Sequence, residues 1–411
     1  MPDLRGLGGL SSLSERVRRA RASRAFVIRV AAVGLGVIQS IVVARLGGPE
    51  LRGVVAVFVS ACSLIYLAAS FDLGAQVVSM CRERGTFSPL APLLNTAWAV
   101  YSVIAGLITV AFLTIDSAVS WLAIGTLAYL IGSQAAVVIG ALRGAVASSW
   151  VALVQQSVLL AGMLGIAWAG LLGDSGVKAV MIVSFLVPLP IFWLLPHVGS
   201  EGRPPMRDLA RDVGRAAVGG FPWQLGRTLQ WSVILMDTIL VAHYLGDAAA
   251  GVYAVGFSLT MVPRLVSGQV ATDLYHRAAM ADEHTLDRDL RQSLIGTLGV
   301  TVAVAVVAPL VINVFYGAAF AQGLTVYLVL SVSMLAQAAL QVSYQFTRVY
   351  GTPWPTVGYG VVGPVLMLAL APQVLPAMGV VGMAWISGAA SIVMAIPATL
   401  LARRQAHTAS L

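Results

Sequence analysis

Three arginines stand inside long apolar stretches of this chain: Arg29, Arg227 and Arg264. A charge near the middle of a bilayer costs about 2.5–3.5 kcal/mol on insertion scales, so such residues face a cavity or a partner. Arg227 lies about nine residues into its stretch, roughly 13 Å at about 1.5 Å per residue, and Arg29 is placed at a similar depth. Arg264 enters from the opposite side, about fourteen residues in or roughly 20 Å, which leaves about 10 Å of a ~30 Å hydrocarbon core. All three fall in one band. Like charges at one depth repel unless an anion or carboxylates lie between them, and the guanidinium fork suits phosphate oxygens. One reading is therefore a cationic clamp for phosphate. The other leaves Arg29 snorkelling to the interface and pairs its companions with Asp72 or Asp273.

Further polar residues share these stretches. Gln224, Arg227, Gln230 and Asp237 fall within about 140° of one helical face, which should meet water or another helix rather than lipid. Asp237 is too far from Arg227 to pair with it, at about 15 Å along the helix. Gln337, Gln341 and Gln345 recur every four residues with Tyr344 and Arg348 alongside. Amides and a phenol suit sugar hydroxyls, so this stripe is expected to line a cavity; bonding between helices is the alternative. Gln155 and Gln156 are adjacent and must point in different directions. The five histidines are scattered without metal-ligand spacing, and Cys62 and Cys81 do not read as a disulfide. No cofactor is expected.

The elements that must position these residues follow from composition. Of 411 residues, 58% are hydrophobic and 10% charged. A soluble domain is about a quarter charged, so most of this surface must face lipid. The apolar runs reach twenty residues without the alternation of a barrel, which predicts an all-α polytopic membrane protein. Twelve spans fall at 25–45, 51–73, 90–114, 117–141, 149–172, 176–197, 218–243, 250–274, 293–316, 322–347, 353–375 and 379–402. They divide the chain into a basic tail 1–24, an N-terminal lobe 25–198, a linker 199–216, a C-terminal lobe 217–403 and a tail 404–411. The basic N-terminus precedes an apolar stretch too long, and without the cleavage site, for a signal peptide.

Orientation follows from the positive residues. With the N-terminus inside, nineteen of the 25 Lys and Arg fall in inside segments and three, Arg45, Arg52 and Lys178, in outside loops. Both termini are then cytoplasmic, and the two six-span halves have the same orientation. A shift of 198 positions supports the repeat: Arg29 falls on Arg227, Gln39 on Asp237, Ala44 on Ala242, Gly48 on Gly246 and Gly53 on Gly251.

The first hairpin, Ala44-Arg45-Leu46-Gly47-Gly48-Pro49-Glu50-Leu51-Arg52-Gly53, is followed by a span ending Phe71-Asp72-Leu73-Gly74. Its repeat carries Asp237-Thr238-Ile239-Leu240, Leu245-Gly246 and Gly251-Val252-Tyr253-Ala254. These features resemble the polysaccharide transporter branch of the multidrug/oligosaccharidyl-lipid/polysaccharide exporter (MOP) superfamily, the O-antigen-type flippases. The resemblance implies a multi-pass protein of a bacterial inner membrane, with two six-helix lobes in a V around a cavity and a rocker-switch cycle. The implied cargo is a lipid-linked oligosaccharide, a sugar on undecaprenyl pyrophosphate. A polymerase or glycosyltransferase of the same pathway would be a partner, with membrane lipid around the chain. Arg29, Arg227 and Arg264 would then hold the carrier's phosphates. By analogy with drug-exporting relatives, Asp237 is either a proton or sodium site or a helix-end hydrogen-bond acceptor.

Other classes fit less well. A cation-coupled drug exporter of the multidrug and toxin extrusion (MATE) type calls for an acidic cavity, and here the counted charges are basic. A major-facilitator transporter has a Gly-x-x-x-Asp-Arg-type loop where this chain has Asp72-Leu73-Gly74-Ala75-Gln76. A membrane glycosyltransferase needs clustered carboxylates or a sizeable external domain, so an enzyme is not expected. Gly358-Tyr359-Gly360-Val361-Val362-Gly363 matches a dinucleotide fingerprint but has no βαβ unit around it. The basic balance follows membrane topology rather than nucleic acid, which is not an expected partner.

Overall fold

The computed structural model describes residues 7–70, 117–143, 145–194, 206–278 and 286–409. The regular elements among them are all helical, as expected where lipid leaves backbone groups no other partner. They are α1 (Leu7–Ala69), α2 (Ser117–Arg143), α3 (Ala145–Trp168), α4 (Asp174–Leu186), α5 (Pro188–Leu194), α6 (Met206–Leu245) and α7 (Asp247–Leu259). After these come α8 (Met261–Ala278), α9 (Leu286–Leu310), a π turn Val311–Tyr316, α10 (Gln322–Tyr350) and α11 (Trp354–Ala409). Among the described residues eight helices are long and apolar enough to cross a membrane, or nine with the bent pair α7 and α8. The expected span 90–114 lies outside the described residues, together with Asp72 and Cys81.

Two of the long helices are hairpins. In α1 the chain reverses at Gly48, with φ 72° and ψ −173°, and Pro49 restarts the helix at the position its ring favours. The reversal brings Arg52 Nε to within 2.9 Å of Ser40 Oγ; in a continuous helix these residues would stand about 18 Å apart. In α11 the chain turns at Gly379, which sets Gly363 against the Met394 thioether. Gly48 occupies a region open to glycine and costly for any residue with a Cβ. Gly48→Ala should cost about 1–3 kcal/mol. A thermal melt of the purified chain checks this, and an unchanged midpoint would refute it.

The break between α7 and α8 bends that pair by 47°. Pro263 explains the break: it lacks an N–H, and its ring collides with the carbonyl four residues earlier. Thr260 Oγ1 donates to the Phe257 carbonyl at 2.7 Å within the bend. The bend sets Arg264 at the start of α8, just past the break.

Packing falls into separate cores. One, in the N-terminal half, holds Val43, Phe58, Met163, Met181 and Phe185. The largest, in the C-terminal half, holds Val233, Tyr253, Leu330, Met367 and Met383. A third draws Ala44 of the first half among Val255, Ile312, Tyr316 and Tyr327 of the second. Val302 and Val306 on α9 and Val361 and Val365 on α11 are exposed, as lipid-facing residues must be.

The two halves are tightly joined at the end marked by Gly48. The second arm of α1 crosses α7 so closely that a Cβ on Gly53 would overlap the Asp247 carbonyl, and one on Gly251 the Pro49 carbonyl. The 198-position shift maps Pro49 onto Asp247 and Gly53 onto Gly251, so the contact joins positions that the shift equates. Gly246 matches Gly48 in conformation too, with φ 86° and ψ 169°. Beside this crossing, Arg45 donates from Nε to the Phe315 carbonyl at 2.7 Å and from Nη2 to that of Val314. Tyr316 OH donates to Ser40 Oγ at 2.9 Å. Near the opposite end of α1, Gln224 Nε2 and Thr228 Oγ1 of α6 both donate to the Leu67 carbonyl.

Candidate functional site

Between α1, α3, α6, the bent α7–α8 pair and α10 lies a cavity of about 600 Å³, within the usual range for a small-molecule site. Arg29, Arg227 and Arg264 all line it. They come from three helices, α1, α6 and α8. A fourth arginine, Arg52, lines it as well, while no Asp, Glu, Lys or His does among the described residues.

Arg264 is the most deeply set. It is 7% exposed, and its guanidinium lies 4.8 Å from the centroid of the Phe257 ring. Its Nε and Nη1 are buried without a hydrogen-bond partner. A buried cation with idle donors is costly, and the ring face offsets only part of that cost. The donors suit an anion in the cavity. Arg227 is half-buried, whereas Arg29 is exposed and also borders a second cavity.

Among the expected cavity residues, Gln230, Gln341, Tyr344 and Gln345 line the space. Gln230 Nε2 donates to Tyr359 OH at 3.3 Å, Gln341 Oε1 accepts from Ser267 Oγ at 2.8 Å, and Tyr344 OH donates to the Trp223 carbonyl at 3.1 Å. Gln345 Oε1 is buried without a partner. Gln224, Gln337 and Arg348 are not among the described residues that line this cavity. Gln224 is 2% exposed and spends its amide on the Leu67 carbonyl. Gln337 points the other way, to Ser391 Oγ at 3.2 Å. The glutamine stripe thus divides, one residue packing against α11 and two facing the cavity. Arg348 is half-buried at the end of α10.

Asp237 is fully buried and outside the cavity lining. Its Oδ2 accepts from Tyr253 OH at 2.7 Å, and its Oδ1 accepts from the Thr238 amide at 2.6 Å and from Thr238 Oγ1 at 3.2 Å. This is the bonding of a structural acceptor tying α6 to α7. Tyr253→Phe would strip the donor from Oδ2, and stability should fall by about 1–3 kcal/mol, read as a lower melting temperature. An ion-coupling role requires that Asp237→Asn alter transport; unaltered transport would end that idea.

The second cavity, of about 240 Å³, lies within the N-terminal half and is lined by Arg29, Tyr66, Tyr129, Ser133, Ser148 and Gln155, among others. Gln156 lines the larger one, so the adjacent glutamines do part company as their spacing required. Among the described residues no group of His, Cys, Asp and Glu could hold a metal.

What the sequence missed is Arg52. The charge tally placed it in an outside loop, yet the tight turn at Gly48 and Pro49 puts it in the first turn of the second arm. The signal was available in Gly-Pro followed by an apolar run, which starts a helix at the proline.

No family model matches the sequence, and no curated protein sequence does either. Solved structures do match in fold. A MOP superfamily transporter from Pyrococcus furiosus aligns over 95% of this chain and 96% of its own, with TM-score 0.65 and 14% identity. A multidrug resistance MATE family transporter in an outward-facing conformation aligns over 94% and 96%, with TM-score 0.66 and 14% identity. An inward-facing conformation of such a transporter aligns over 94% of both chains, with TM-score 0.56 and 15% identity.

This chain has the fold of the MOP superfamily transporters.

At such identities the likeness speaks for the fold alone. The length and apolarity of the helices make it a multi-pass membrane protein.

Proposed function

We propose that this chain is a transporter that flips a lipid-linked, phosphate-bearing sugar across a membrane by alternating access. The observation that carries the reading is the cavity: among the described residues four arginines line it and no acidic side chain does. A cluster of guanidiniums in a low-dielectric chamber favours an anion strongly and repels a cation. The amides of Gln230, Gln341 and Gln345 and the Tyr344 phenol add groups suited to hydroxyls. With the N-terminus cytoplasmic, the Gly48 end is the outer side. Two lobes of six spans would rock about this closed end, the cavity being entered from the inner side near Arg29. A bacterial inner membrane is the setting this cargo implies.

A MATE-type exporter of drugs or small molecules fits the fold equally well, and multidrug transporters stand among the structural neighbours. Cavity charge separates the two readings. In the Pyrococcus furiosus neighbour a reverse polarity of the binding pocket suggests a different function, which is consistent with this fold serving cargoes of different charge.

Direct binding to the purified chain decides between them. A fluorescent polyprenyl pyrophosphate should bind, be displaced by the unlabelled lipid, and weaken as salt rises. Ethidium, a cationic drug, should not bind. Tight ethidium binding with no pyrophosphate binding would reverse the assignment.

A further inference from the structure

The geometry points to Arg52 as a second anion station at the closed end of the cavity, whose occupation releases that closure. The inference rests on the proposed anionic cargo and adds a place and a role for which the three-arginine clamp has no counterpart.

Depth separates Arg52 from the other three. Arg29 and Arg227 lie nineteen residues before Gly48 and Gly246, about 28 Å along their helices, and Arg264 lies eighteen after Gly246, about 27 Å. Arg52 follows Gly48 by four residues, about 6 Å. One cavity connects the two levels. Its wall along the first arm of α1 carries Val33, Gly36, Val37, Gln39 and Ser40, none of which brings a positive charge. A phosphate held only by the first three would have roughly 20 Å ahead of it in which the described lining offers amides and hydroxyls but no cation. Arg52 supplies the missing charge at the far end.

Arg52 is also joined to the closure. Its Nε donates to Ser40 Oγ at 2.9 Å, and the same oxygen accepts from Tyr316 OH at 2.9 Å. Tyr316 ends the π turn whose Val314 and Phe315 carbonyls are held by Arg45. One serine thus receives a donor from the cavity arginine and a donor from the opposite half. A phosphate oxygen is a better acceptor for a guanidinium than a hydroxyl is. An arriving phosphate draws Arg52 off Ser40, disturbs the Tyr316 bond, and loosens the joint between the halves.

The test uses the full chain in nanodiscs with Cys62 and Cys81 replaced by serine. Spin labels go at Leu46 and Val314, whose side chains are exposed on either side of the joint. Farnesyl pyrophosphate is the probe and inorganic pyrophosphate the second arm. In the parent, saturating farnesyl pyrophosphate should at least double the long-distance population. Arg52→Gln should bind the probe within about tenfold of the parent and show no such shift. Ser40→Ala should show the long population before any ligand is added. A shift with inorganic pyrophosphate would mean that the anion alone suffices; a shift with the lipid alone would mean that the station reads a lipid-anchored phosphate. Both support Arg52 as the station. A parent-like shift in Arg52→Gln, or an unchanged resting distribution in Ser40→Ala, overturns the inference and leaves the proposed cargo standing. If neither probe binds the parent, both are overturned.

Discussion

Alanine at both Arg227 and Arg264 should lower affinity for a polyprenyl pyrophosphate by roughly 10²- to 10⁴-fold and abolish transport in a normally inserted protein. A hydrogen bond to a charged group contributes about 1.5–3 kcal/mol. Two such arginines contribute about 3–6 kcal/mol, and about 1.4 kcal/mol is tenfold. The stability effect should run the other way. Arg264 is buried with Nε and Nη1 idle, so Arg264→Met should leave the melting temperature unchanged or raise it. That split between lost binding and retained stability separates a ligand site from a structural one. A large stability loss in Arg264→Met, or wild-type transport in the double variant, would sink the clamp.

The second large effect concerns the closed end. Gly53→Ala with Gly251→Ala should all but abolish transport while sparing cargo binding. Each new methyl would overlap a backbone carbonyl of the opposite half, Asp247 for one and Pro49 for the other. Backbone cannot swing aside as a side chain can, so the halves must separate at this end. Both alanines suit helix interiors, which keeps folding out of the explanation. The chain should then remain open at its Gly48 end. A cysteine at Leu46, half-exposed beside the joint, should react with an impermeant maleimide at a rate independent of cargo. Normal transport by the double alanine chain would show that this contact is not part of the cycle.

Much of this arrangement was legible in the sequence, for identifiable reasons. Counting residues from the ends of apolar runs set Arg29, Arg227 and Arg264 at one depth, because an α-helix has a fixed rise. The repeat offset of 198 matched Gly48 to Gly246 and Gly53 to Gly251 before their contact was visible. Helical spacing placed Gln337, Gln341 and Gln345 on one face but could not say where the neighbouring α11 ends and the cavity begins. Gln337 consequently went to Ser391. Gln224 followed a related course: its amide serves the last turn of α1, where Leu67 has a carbonyl to offer, and spacing within α6 says nothing of that. Arg52 was hidden by the loop it was assigned to, since a turn of one glycine leaves no loop for it to occupy. Asp237 and Tyr253 lie sixteen residues apart across the Gly246 turn, and only the turn's geometry makes them partners.

The unanswered donors of Arg264 bear on the journey made without cargo. A chamber bordered by four guanidiniums, with no acidic side chain among its described lining residues, is an uncomfortable thing to reset. Small anions from the surrounding solution would therefore ride back inside it, as a counterflow against each outward delivery. Turnover would then track the identity of the dissolved salt on the discharge side, chloride against a bulky sulfonate, even where the cargo gradient is held fixed.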